Sequence, residues 1–109
     1  MRRSNFNTTG DVNIAGTGPR GISSHSGTNG DISITAANAS MTGTSNTNSN
    51  WGIVTRHHSV FDVSGDLDIT GTGSNGIYFR YNPTFETDGN FTMTANGTAG
   101  NGLYIVGNP

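Results

Sequence analysis

One phrase recurs four times and limits the possible folds more than any other feature: an apolar or small residue, three polar positions, Gly, Asp or Asn, then apolar, any residue, apolar. It runs from Phe6 to Gly10-Asp11-Val12-Asn13-Ile14, from Ser26 to Gly30-Asp31-Ile32-Ser33-Ile34, from Phe61 to Gly65-Asp66-Leu67-Asp68-Ile69 and from Phe85 to Gly89-Asn90-Phe91-Thr92-Met93. A second glycine column follows each copy, at Arg20-Gly21-Ile22, Trp51-Gly52-Ile53, Asn75-Gly76-Ile77 and Asn101-Gly102-Leu103. Repeats of this length describe units that bury their apolar side only by stacking on one another.

The opening glycines at 10, 30, 65 and 89 are separated by 20, 35 and 24 residues. Two intervals suit one coil of a β-solenoid, and the long one predicts an insertion. The low-complexity tract from Asn38 to Asn50 falls inside it and is expected to be a loop leaving one corner, with Met41 pinned against its neighbour and Trp51 at its end.

Within each copy the apolar residues alternate, the period-2 mark of a half-buried strand. Val12/Ile14, Ile32/Ile34, Leu67/Ile69 and Phe91/Met93 are expected to stack inward, with Asn13, Ser33, Asp68 and Thr92 facing solvent. A second strand follows the second glycine through Ile22, Ile53, Ile77 and Leu103. A third leads into the next phrase through Val60–Val63 and Thr84–Thr87. Three strands per turn predict a triangular, all-β parallel coil of about four rungs, bounded near 6–25, 26–60, 61–84 and 85–109, as one segment spanning 1–109. Helix is disfavoured by frequent glycine and the lack of a 3.6-residue apolar stripe. An antiparallel meander is the competing fold, but it requires no equivalent residues one coil apart.

Leu, Ile, Val and Phe make up only 20 of 109 residues, a proportion at which disorder must be weighed. Disorder also calls for high net charge. The formal charge is −2, and the apolar residues stand in register. The same charge, with no lysine and no basic run, gives no reason to expect a nucleic-acid partner. Cysteine is absent, which excludes disulfides and Cys-based metal sites. No apolar run is long enough to span a membrane, and Met1-Arg2-Arg3 is not followed by a signal-type apolar core. If the protein is exported, its export signal is expected outside this chain.

The Gly-Asp-apolar-x-apolar-Thr and Asn-Gly-Ile phrases resemble the shaft repeats of filamentous haemagglutinin-type adhesins, from Phe6 to Gly107. Related phrases occur in autotransporter passenger domains. The resemblance implies a right-handed single-stranded parallel β-helix, secretion or display at the bacterial outer membrane, and a part in adhesion. Asn82-Pro83-Thr84 only partly echoes the Asn-Pro-Asn motifs of that family's secretion domain, so the chain resembles shaft. Expected partners are neighbouring coils of a longer chain, a surface glycan or protein, and other copies joined end to end through open rungs.

Candidate sites follow from the same register. Asp11, Asp31, Asp66 and Asn90 would stack one rung apart, as Asx-turn caps or as a weak Ca²⁺ ladder. No cofactor or metal is called for, since the calcium nonapeptide is missing and adjacent His57 and His58 point to opposite faces, with His25 distant. Asp66 and Asp68 face out on one strand at roughly 7 Å, a spacing that overlaps an inverting glycosidase pair. Trp51, Tyr78 and Tyr104, with Arg56 and Arg80 at matching offsets, form the candidate binding row for a carbohydrate or partner. Stacked aromatics also stabilise a solenoid without any ligand. Thr35, Thr70 and Thr94 suggest a threonine column of the ice-binding kind. Asn7, Asn38, Asn90 and Asn96 begin glycosylation sequons.

Overall fold

The computed structural model describes residues 4–24, 32–47, 50–55, 58–80 and 83–105. Among them there is no helix, and twelve strands wind as β1 (Ser4–Asn7), β2 (Asp11–Gly18), β3 (Ile22–Ser23), β4 (Ile32–Ala36), β5 (Asn38–Ser45), β6 (Trp51–Thr55), β7 (Ser59–Val63), β8 (Leu67–Gly73), β9 (Asn75–Phe79), β10 (Thr84–Thr87), β11 (Phe91–Gly97) and β12 (Leu103–Ile105). Every third strand joins the same sheet. The first sheet runs β1-β4-β7-β10, the second β2-β5-β8-β11 and the third β3-β6-β9-β12. All pairings are parallel, and each rung contributes one strand to each sheet, so the fold is a β-solenoid of about three turns.

Alternation decides which residues enter the interior. In β8 the burial pattern alternates along the strand, with Leu67 and Ile69 inside and Asp68 outside. Stacking then turns each inward position into a vertical column. Val12, Ala39, Leu67 and Phe91 form one, and Ile14, Met41, Ile69 and Met93 the next. Ile22, Ile53, Ile77 and Leu103 form the third-sheet column anticipated from the second glycine set. The first sheet supplies Phe6, Ile34, Phe61 and Phe85. The middle rungs bury these completely: Phe61, Ile69, Ile53 and Ile77 have no exposed surface.

The second rung differs from the expectation. Residues 38–45 form no loop, because Asn38–Ser45 is strand β5, paired along its length with β2 and β8. Met41 is held at 1% exposure in the core. The phrase that belongs in this rung is Ala37-Asn38-Ala39-Ser40-Met41, with alanine standing where glycine opens the other three. Ala37 donates to Gly10 O at 2.8 Å and accepts from Gly65 N at 2.6 Å, which fixes it in the Gly10–Gly65–Gly89 column.

Ile32 and Ile34 therefore leave the expected column and pair in the first sheet, Ile34 opposite Phe6 and Phe61. Ser33 likewise yields its outward place beside Asn13 to Ser40. Thr35 joins Asn7 and Asp62, so the threonine column is Thr42, Thr70 and Thr94, headed by Ala15. Corrected in this way, successive rungs along Asp11, Asn38, Asp66 and Asn90 are 27, 28 and 24 residues long. No rung carries a large insertion at that corner.

Close approach explains the glycines at the corner between the second and third sheets. A Cβ on Gly71 would lie 2.5 Å from Ile77 Cγ1 and 2.6 Å from Gly76 O. Gly16, Gly43 and Gly71 stack there against the Gly21, Gly52 and Gly76 column, and the two backbones come too near for side chains.

Candidate functional site

The third sheet positions the aromatic row. The column between its inward positions is Ser23, Val54, Tyr78 and Tyr104, of which Val54 is buried and the tyrosines reach the surface. The Tyr78 and Tyr104 rings stack at 5.1 Å with 30° between planes, and Trp51 meets Tyr78 edge-on at 5.2 Å and 79°. Trp51, Tyr78 and Tyr104 are thus brought together as one surface row. Their geometry bears directly on sugar recognition, which uses ring faces. One face of Tyr78 is taken by Tyr104, and Trp51 contacts Tyr78 as well. Tyr104, 46% exposed, is the open member of the row.

Arg80 follows Phe79, and its backbone N–H donates to Thr55 O at 3.1 Å, which locks it to the rung below. Arg80 is half-buried and makes a further interaction besides this bond. Arg56 lies outside the described residues, as do His25, His57 and Asp31. His58 is exposed, with Nε2 3.4 Å from Thr84 Oγ1.

The column at the first corner is not a stack of carboxylates. It alternates Asp11, Asn38, Asp66 and Asn90. Asn38 Nδ2 donates to Asp11 Oδ1 at 3.0 Å, Asn38 Oδ1 accepts from Asp66 N–H at 2.9 Å, and Asp66 Oδ1 accepts from Asn90 N–H at 2.9 Å. The Asn38 and Asp66 side chains therefore each satisfy a backbone donor one rung on, where local Asx turns had been expected. The alternation places an amide between each pair of charges, which removes the like-charge repulsion of an all-Asp column. It also commits the Asn38 amide, the atom a glycan would need.

Asp66 and Asp68 are both exposed. Asp66 holds the ladder just described, and Asp68 accepts from Thr70 Oγ1 at 3.5 Å. Among the described residues no three His, Asp or Glu side chains gather as a metal site. Among the described residues no helix is long and apolar enough to cross a membrane. An open depression of about 390 Å³ at the corner of the first and second sheets is lined by Thr8, Thr9, Thr35, Ala36, Ala37, Asp62 and Ser64.

Two features escaped sequence reasoning. One is the alternating Asp/Asn ladder, which the even 27- and 28-residue spacing and the Thr42-Gly43-Thr44 echo of Thr70-Gly71-Thr72 would have disclosed. The other is Thr55, fully buried, whose Oγ1 has no hydrogen-bond partner among the described residues. Nothing in the sequence marks it.

The arrangement defines a three-sheet parallel β-solenoid, a repeat protein whose outer face carries an aromatic row and an Asx ladder. No family model, curated protein or solved structure matches the chain.

Proposed function

We propose that this chain is a structural shaft segment of a large bacterial surface or secreted adhesin, a stiff spacer that supports adhesion. The observation that carries the reading is the continuity of its columns. Core and corner positions repeat from rung to rung in register, so that each rung stacks on the last, as a spacer requires. In this reading the partners are adjoining coils and a surface glycan or protein held elsewhere on the rod. The row of Trp51, Tyr78 and Tyr104 serves chiefly as a stabilising stack, because its rings contact each other.

The test is surface labelling. Antibodies raised against the 109-residue chain should label intact producing cells or the secreted fraction, and labelling only after lysis would refute the proposal. Tight binding of a defined glycan by the isolated chain, lost in Trp51→Ala or Tyr78→Ala, would replace the spacer role with a binding one. The enzyme alternative requires polysaccharide turnover that disappears in Asp68→Asn, and the ice-binding alternative requires thermal hysteresis.

A further inference from the structure

One corner of the winding is a residue short. Between the outward position of the first sheet and the Asx ladder, Thr8-Thr9-Gly10, Val63-Ser64-Gly65 and Thr87-Asp88-Gly89 each supply three residues, whereas the second rung supplies only Ala36-Ala37. No residue of that rung stands level with Thr9 and Ser64. The depression of about 390 Å³ opens at this place, with Thr8 and Thr9 on one side and Asp62 and Ser64 on the other. It is therefore a notch one rung tall, made by the missing residue, and Ala36, 5% exposed, is its floor.

The notch gathers acceptors that nothing else uses. Elsewhere at this corner Asn38, Asp66 and Thr87 are bonded to the backbone of a neighbouring rung, and Thr8 Oγ1 accepts from Gly10 N–H at 3.1 Å. The hydroxyls of Thr9, Thr35 and Ser64 and the carboxylate of Asp62 are exposed and make no hydrogen bond or ion pair among the described residues. Thr35 and Asp62 pair one rung apart, so their side chains leave the same face at roughly 4.8 Å from each other.

We infer that the notch binds a primary alkylammonium group. Such a group carries three N–H donors and no acceptor, and every uncommitted side chain in the notch is able to accept. The Asp62 carboxylate takes one donor in a charge-assisted bond, the Thr35 and Ser64 hydroxyls take the others, and the alkyl stem lies on Ala36 and Ala37. Glu86 stands directly opposite Asp62 on the following rung, and the chain has no lysine to neutralise the two, so a cation is drawn in and an anion turned away. The inference goes beyond the spacer role and rests on neither that role nor the Trp51 row, so its failure leaves both where they stand.

Amide NMR on the isotope-labelled 109-residue chain, titrated with n-butylammonium, tests it. The expected result is a saturable shift confined to the amides around Ala36, Ala37 and Ser64, with a dissociation constant on the order of millimolar, as one charged contact at a surface allows. Asp62→Asn should weaken binding roughly tenfold or more. Inserting one serine between Ala36 and Ala37 restores the three-residue corner and should abolish binding with Asp62 still in place, and circular dichroism verifies that both variants keep their strands. Tetramethylammonium has the same charge without an N–H donor, so it should leave these amides unmoved. Nα-acetyl-lysine amide and spermidine, run in parallel, separate the lysine of a partner protein from a free polyamine as the source of the group. The inference is overturned by the lack of a saturable shift, by an equal response to tetramethylammonium, the sign of a merely negative surface, or by binding that Asp62→Asn leaves unchanged.

Discussion

Phe61→Ala and Phe91→Ala remove the same ring from two places in the solenoid, and they should differ about threefold in effect. Phe61 lies in a middle rung with no exposed surface, stacked on Phe85 at 5.2 Å and meeting Phe79 edge-on at 6.0 Å. Truncating a fully buried phenylalanine costs about 3–5 kcal/mol, and two ring partners place Phe61 toward the upper part of that range. Phe91 lies in the end rung, 42% exposed, with one ring neighbour, Phe85, at 5.0 Å. Full burial of such a side chain contributes roughly 1.5–3 kcal/mol, so a little over half of that leaves about 1–2 kcal/mol for Phe91→Ala.

Urea unfolding followed by circular dichroism reads both. A slope of roughly 1–3 kcal/mol per molar urea turns the Phe61 loss into a midpoint lower by on the order of 2 M, a large part of the stability of a domain this size. The Phe91 variant should shift by a fraction of that. Equal losses at the two positions, or a larger one at Phe91, would refute the reasoning, since both outcomes deny that inner rungs are packed from two sides and end rungs from one.

Three further substitutions probe separate parts of the winding. Gly71→Ala places a methyl 2.5 Å from Ile77 Cγ1 and should destabilise by about 1–3 kcal/mol or more, whereas Gly102→Ala, whose nearest contact is Ala95 O at 3.5 Å, should be close to neutral in the same urea assay. Asn38→Asp sets three carboxylates in a row and removes the donor to Asp11, for a loss of roughly 2–3 kcal/mol from two repulsions of about 0.9 kcal/mol each and one hydrogen bond. High salt should restore the charge part but not the hydrogen bond, so a loss indifferent to salt would refute the ladder. Thr55→Val keeps the shape and deletes a buried hydroxyl without a partner among the described residues, so melting should show a gain of about 1–3 kcal/mol.

The sequence disclosed the winding because its strongest signals are steric. Gly21, Gly52 and Gly76 mark a corner with no room for side chains, and the isoleucines that follow them stack as the phrase implies. The third strand was equally plain, since Phe61 and Phe85 pair directly. The second rung misled because Gly30-Asp31-Ile32-Ser33-Ile34 imitates a corner phrase while its isoleucines serve the first sheet. The true corner, Ala37-Asn38, lacks the glycine and is flanked by the small, polar residues that also compose loops. Parallel pairing overrides that composition, for Ala39 and Met41 need only fill their places between Val12/Ile14 and Leu67/Ile69. Of the candidate row, the stacking of Tyr78 on Tyr104 follows from register alone. The meeting of Trp51 with Tyr78 depends on side-chain directions that spacing does not specify.

The economy of the fold also explains how so few large apolar residues suffice for its core. With Leu, Ile, Val and Phe at only 20 of 109 positions, the chain has too few large apolar residues for a core in which each is covered by many different segments. A coil covers each inward side chain by its equivalents above and below, so that Ile69 is enclosed by Met41 and Met93 without further sequence being needed. The same device carries hydrogen bonding outward, as Asn38 and Asp66 each accept the N–H of the next rung. Such reuse has a consequence at the rung of β10, β11 and β12, where among the described residues each column is covered from one side. Leu103, Tyr104 and Ile105 are half exposed for that reason rather than through any change in their own character.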